Sequence, residues 1–318
     1  MRKWLISLFV IGFIFSGQTT RVSGEENELK GTITMSGAWA LYPMAVKWAE
    51  EFQKIHPGVR IDIAAGGAGK GMADCLARIV DIGNVSRDIY PAEVEKGAWW
   101  VSVTKDAVVP TVNENNPAIL DLLSQGVKKE TFIGIWITEE VKDWKNVVSG
   151  AKKTDIHVYT RSDACGAAKT WAKYLNSNQE DLLGVGVYGD PGLALAVSKD
   201  ILGIGFNNIN YAYDAKTRKQ VAGIKVLPID LNGNGRLDSD ENFYNSRDDI
   251  VKAIAAGKYP SPPARDLYFV SQGKPENKVI IEFIKWVLTD GQKFVAESGY
   301  INLTDNKLRE ELNKLEGE

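Results

Sequence analysis

Histidine and cysteine are scarce in this chain, two of each among 318 residues. That is too few for a zinc cluster of the usual kind or for a disulfide-dense scaffold. No basic block interrupts a formal charge of −3, so nucleic acid is not expected as a partner. There is no low-complexity tract and no internal repeat. The apolar run from Trp4 to Phe15 has twelve residues, short of the roughly 20 that a bilayer span needs. What remains is ordinary globular composition, 44% hydrophobic and 25% charged, with thirty glycines and nine tryptophans. It fits a loop-rich α/β protein of about two domains.

Arg2 and Lys3 precede the apolar run, and Val22-Ser23-Gly24 follows as a cleavage site. This charged, apolar, small-residue order is that of a secretory signal over residues 1–24; an uncleaved anchor is the alternative. No cysteine follows the run for a lipid anchor. Cleavage removes Arg2, Lys3 and Arg21 and no acid, so the exported chain is mildly acidic. Any anion site must then be local, built from backbone N–H groups and a few cations.

Alternation predicts strands at Leu29–Met35, Val59–Ile63 and Val80–Gly83, and apolar runs predict others at Ala107–Val112, Ile156–Tyr159, Gly203–Phe206 and Leu267–Val270. Ala45, Trp48, Ala49 and Phe52 fall at helical spacing, as do Ala168, Trp171 and Leu175, and Ile280, Phe283, Ile284 and Val287. Strand, loop and helix alternate as in a parallel α/β sheet. Three small-residue loops lie between strand and helix: Ser36–Leu41, Gly66–Gly71 and Arg161–Ala167. Such loops let a ligand approach the backbone, and a helix start favours anions. Ordinary turn chemistry is the alternative for any one of them. Arg161 could clamp an oxyanion, with Asp163 accepting a proton from it; alternatively the two form an ion pair and Asp163 caps the helix.

With these loops in place the chain resembles the phosphate-binding proteins of ABC importers, in the type II periplasmic-binding-protein superfamily. The likeness runs through Ser36-Gly37…Tyr42-Pro43, Gly66-Gly67-Ala68-Gly69, Val80-Asp81-Ile82-Gly83…Ser86-Arg87 and Ile135-Trp136 with Asp143-Trp144. It continues through Arg161-Ser162-Asp163, Gly189-Asp190-Pro191-Gly192, Gly203-Ile204-Gly205-Phe206 and Ser298-Gly299-Tyr300. The resemblance implies a monomeric two-lobed α/β fold, each lobe a mixed sheet flanked by helices, joined by two crossing strands. Lobe 1 would hold 29–109 plus 267–318, and lobe 2 would hold 110–266. It implies closure on phosphate or a similar oxyanion, delivered to a membrane permease. The implied ligand set is Gly37, Trp39, Ala40, Leu41, Gly67, Ala68, Ser86, Arg161, Asp163, Cys165, Gly166 and Ala167. This chain departs from the family at Ala40, Gly67 or Ala68, Cys165 and Ala167, where relatives carry hydroxyls. Trp39 would floor a reshaped pocket, or belong to the core. A sensor or scavenger of the same fold is the alternative function.

Asp230-Leu231-Asn232-Gly233-Asn234-Gly235-Arg236-Leu237-Asp238-Ser239-Asp240-Glu241 matches a calcium-loop spacing at every fixed position. Asp230, Asn232, Asn234, the Arg236 carbonyl, Asp238 and Glu241 would ligate a structural Ca2+, with Leu237 packing inward. A metal-free turn is the alternative. Cys75 and Cys165 could pair across the cleft or stay apart. Cys165 at a helix start is the one candidate for a nucleophile, with His157 the nearest base, so an enzyme is the remote reading.

Overall fold

Nine strands form in the computed structural model, which describes residues 28–317. The predicted export signal at 1–24 lies outside the described residues. The strands are β1 (Gly31–Gly37), β2 (Val59–Ala65), β3 (Ile82–Val85), β4 (Ala98–Asn113), β5 (His157–Arg161), β6 (Val185–Val187), β7 (Gly203–Asn208), β8 (Ile224–Val226) and β9 (Ala264–Gln272). Their order is β2-β1-β3-β9-β4-β7-β5-β6, with β8 also paired to β4. β1 is parallel to β2 and β3, and β5 is parallel to β6 and β7. β9 runs antiparallel to both β3 and β4, and β4 antiparallel to β7 and β8. β4 therefore threads both halves: Ala98–Ala107 pairs with β9, and Val108–Asn113 with β7 and β8.

Two separate apolar cores follow from this. One gathers Ile33–Val103 and Leu267–Leu315, around Trp48, Phe52, Phe269 and Phe283. The other gathers Ala107–Ala264 with Ile301, around Phe132, Trp136, Trp171 and Phe206. The cores exchange between Val103 and Ala107 on the outward pass and between Ala264 and Leu267 on the return. The aromatic rings meet mostly edge to face, which adds to their area burial.

The helix Tyr42–Ile55 buries Ala45, Trp48, Ala49 and Phe52, the spacing read from the sequence, and takes Pro43 in its first turn, where no N–H is missed. Three strands start later than their sequence patterns: β1 at Gly31, β3 at Ile82 and β5 at His157. β3 begins at Ile82 because Asp81 turns to Thr34, accepting from its amide and hydroxyl at 2.8 Å each. Among the described residues no helix is long and apolar enough to cross a membrane.

Candidate anion site between the lobes

β1 and β2 run one way through the sheet and β5 runs the opposite way, so the small-residue loops that leave their ends face each other from the two halves. Gly37 has φ +132, and a Cβ there would meet the Asn84 carbonyl at 2.3 Å, so only glycine lets the first loop leave β1 this way. The Gly37 carbonyl accepts from the Gly66 and Gly67 amides at 2.9 and 3.0 Å, tying the first loop to the second.

The third loop meets them from the other lobe. The Gly69 amide donates to the Ala164 carbonyl at 3.1 Å. A Cβ on Gly67 would stand 3.1 Å from Asp163 Oδ2 and 3.7 Å from Cys165 Cβ. A Cβ on Gly166 would stand 2.1 Å from Ser86 Oγ and 2.2 Å from its carbonyl oxygen. Gly67, Ser86, Asp163, Cys165 and Gly166 are thus brought together, with Ala68 and Ala167 buried beside them in the first turns of their helices. In the first turn of the helix Gly166–Tyr174 the Ala168 amide donates to Cys165 Sγ at 3.4 Å, while the amides of Gly166 and Ala167 have no acceptor within that helix. Trp39 is half-buried rather than a core residue. It packs on Gly189 and edge-on against Tyr188, and its carbonyl accepts from the Tyr211 hydroxyl at 3.1 Å. Ala40 is buried, its carbonyl taken by the Tyr300 hydroxyl. The Leu41 amide, expected to face the ligand, instead closes a turn onto Ala38 at 3.1 Å.

Arg161, at the end of β5, has a fully buried side chain. It is held by two carboxylates. Nε and Nη2 donate to Asp163 Oδ1 and Oδ2 at 2.8 and 2.7 Å, and Nη1 donates to Asp190 Oδ2 at 2.6 Å. Asp163 Oδ1 also accepts from the Gly189 amide at 3.2 Å. Asp163 thus forms the ion pair with Arg161 that its spacing allowed, while the helix is capped by Cys165 and not by Asp163. The chain of contacts continues inward. Asn208 donates from its side chain and its amide to Asp190 Oδ1, at 2.7 and 3.3 Å, and accepts from Arg265. Arg265 is bidentate on Asp106 and reaches Thr170 Oγ1 at 3.0 Å. Burial works against the Arg161 charge, but Asp190 and Asp163 outweigh it and hold its pKa above the usual range. Burial pushes Asp106 up, and Arg265 only partly offsets that. One guanidinium shared by two carboxylates gives the site a local charge of about −1, so it suits an oxyanion that still carries a proton.

Asp190, Asn208, Arg265 and Asp106 were not legible as site residues. Their signals were slight: Asp106 is a charge at the edge of an apolar strand run, and Asp190 entered only within the segment Gly189-Asp190-Pro191-Gly192 of the family likeness.

Both cysteines are free and buried. Burial pushes the Cys165 thiol up to about 12 and the Cys75 thiol to about 11, so neither is a thiolate at neutral pH. His157 stands at the start of β5 and Cys165 lies beyond its end, roughly 13 Å or more away along the strand. His157 Nδ1 is instead 2.7 Å from Asp200. The geometry needed for a cysteine nucleophile is not present.

The loop 230–241 is drawn around its own acids. Asp230 accepts from the Gly233 and Gly235 amides at 2.7 and 2.8 Å, and Glu241 Oε1 accepts from the Leu231 and Asn232 amides at 3.0 Å each. Gly233 and Gly235 take the left-handed φ of +75 and +82 that the bend requires. Asp238 is turned to the side-chain amides of Asn232 and Asn234, at 2.9 and 2.7 Å, and to Arg236. Among the described residues no three acidic, histidine or cysteine groups converge as a metal cluster.

A family model described as a PBP superfamily domain matches residues 22–291. The phosphate-binding protein PstS of Bacillus subtilis is 26% identical over 292 residues, 91% of this chain and 86% of that protein. PstS of Staphylococcus epidermidis is 24% identical over 326 residues, covering 99% of this chain and 94% of that one. The crystal structure of an ABC-type phosphate transport receptor from Vibrio cholerae shares the fold, with a TM-score of 0.62 at 18% identity, over 85% of this chain and all of that one.

Proposed function

The chain belongs to the PBP superfamily, and from that premise we propose that it is the extracytoplasmic solute-binding protein of an ABC importer, holding phosphate or a related protonated oxyanion between its lobes. The observation that carries this reading is the convergence of small-residue loops from both lobes beside one buried guanidinium, Arg161 at the end of β5, and the start of the helix Gly166–Tyr174. The names of its relatives point the same way. The free N–H groups of Arg161 and the amides at the start of the helix Gly166–Tyr174 supply donors. Asp163 and Asp190 accept a ligand proton or repel an anion that has none. Closure brings these groups together, and release opens the cleft toward a membrane permease. Export depends on the signal at 1–24, and the loop 230–241 holds a structural Ca2+ once Asn232 and Asn234 turn their carbonyl oxygens inward.

Ala40, Ala68, Cys165 and Ala167 bring no hydroxyl to the ligand. Each missing hydrogen bond to a charged group is worth about 1.5–3 kcal/mol, so phosphate should bind more weakly than in a hydroxyl-lined site. Titration calorimetry with phosphate, arsenate and sulfate tests the reading. Phosphate and arsenate should saturate and sulfate should not. Arg161→Ala should abolish the phosphate heat, and Arg161→Lys, which keeps the charge but not the fork, should weaken it at least roughly tenfold. Undiminished affinity in a folded Arg161→Ala protein counts against the site.

A further inference from the structure

A second space opens between the lobes, beside the site described above and on its hinge side. This cavity, about 360 Å3, lies between the segment that follows β3, the helix Gly166–Tyr174 and the stretch entering β9. Arg87, Lys105, Lys169, Lys173 and Arg265 line it. Only two carboxylates, Asp88 and Asp266, share the wall with them. The Tyr90 ring, Pro262 and Ala264 supply apolar surface. The Tyr90 hydroxyl is shielded from solvent and has no protein partner among the described residues.

The cations are held unequally. Arg87 is clamped by Glu93 at 2.6 and 2.9 Å, and Arg265 by Asp106. These two are fixed in place before any ligand arrives. Lys169 has only a loose approach of 3.7 Å to Glu180, and its ammonium lies 5.8 Å from the Tyr90 ring centroid. With Lys105 3.3 Å from Asp266, Lys169 is the most loosely held cation of the wall. Lys173 reaches Asp88 on the opposite lobe at 2.5 Å, so the wall itself bridges the cleft. The volume is at the lower end of the roughly 300–1,000 Å3 of small-molecule sites and exceeds what one tetrahedral oxyanion fills.

We propose that this cavity is a second binding site, which takes a small organic phosphate monoester across both lobes. The phosphate group is met by Lys169 beside the fixed Arg265, and the organic part rests on Tyr90, Pro262 and Ala264. Each lining cation has a carboxylate partner, so the phosphate head takes the place of the most loosely held one, Glu180 on Lys169, and the apolar surface suits an ester better than the bare ion. The site does not depend on Arg161 as a ligand, so the two readings fail separately.

The probe is sn-glycerol 3-phosphate, titrated calorimetrically into the wild-type protein, Lys169→Glu and Arg161→Ala, with folding checked by circular dichroism. Lys169 is partly exposed, so its replacement should leave the fold intact. The wild type should saturate, and Lys169→Glu should raise Kd at least roughly tenfold while inorganic phosphate binding stays within about twofold. Arg161→Ala should show the reverse pattern. The proposal is overturned if sn-glycerol 3-phosphate does not saturate the wild type by about 10 mM, or if its affinity survives Lys169→Glu. It is equally overturned if affinity is lost only in Arg161→Ala, or if citrate binds better than the phosphate ester.

Discussion

Asp200 shows how single side chains in this molecule tie charge to stability. Burial alone would push its carboxyl up. The Leu202 amide, His157 Nδ1 and the Tyr159 hydroxyl, at 3.0, 2.7 and 2.9 Å, outweigh burial and hold it below the usual value. A carboxyl with a folded pKa below its unfolded one stabilises fully above the unfolded value, about 3.9, and loses that contribution as pH falls through the folded value. Asp200→Asn should therefore cost about 2 kcal/mol at pH 7, with the difference from wild type shrinking below about pH 4. Denaturant melts of the two proteins at pH 7 and pH 3 check this; a pH-independent difference would mean that the carboxylate charge is not the source. The same residue-level view bears on Asp163. A carboxylate two positions from an arginine is compatible with a ligand contact or with an ion pair, and spacing alone does not choose. Burial chooses, because a guanidinium removed from water must be paired within the protein.

At the scale of elements, most strands with strong patterns appeared with boundaries shifted by a few residues, β4 began nine residues before its expected run, and the helices kept their buried faces. What escaped the sequence was short or edge-like. β6 and β8 are three residues each, too brief for any alternation to register. The loop 230–241 is the opposite case, an irregular element whose spacing is more informative than its hydropathy. Its backbone already folds around Asp230 and Glu241, and Leu237 packs toward the second core as its position suggests. For calcium to bind as proposed, Asn232, Asn234 and Asp238 would have to give up their contacts with one another. Ca2+ at about 100-fold excess over its Kd should raise Tm by roughly 5 °C, and Asp230→Asn should remove the effect. Melting curves with calcium, magnesium and a chelator provide the check. Identical curves in all three would identify the loop as a metal-free turn.

For the whole molecule, two separate cores each have their own run of strands, and the sequence suggested a division into lobes only through the family resemblance. It could not show how closely the lobes approach, since that depends on contacts between residues far apart in the chain. Gly166 against Ser86 is the tightest of these. Gly166 opens a helix with a φ that any residue adopts, so alanine there suits its own lobe. The added methyl nevertheless falls 2.1 Å from Ser86 Oγ and 2.2 Å from the Ser86 carbonyl, and a backbone oxygen cannot rotate away. The overlap is relieved only if the lobes part, which also draws the Gly69 amide from Ala164 and Lys173 from Asp88. Gly166→Ala should therefore leave the secondary structure and Tm close to wild type while weakening phosphate binding at least roughly tenfold, since the loops no longer converge on Arg161. Small-angle scattering with phosphate present should show a larger radius of gyration than wild type. An unchanged radius together with unchanged affinity would mean that the lobes bind without closing to this contact, and the convergence of loops would lose its functional weight.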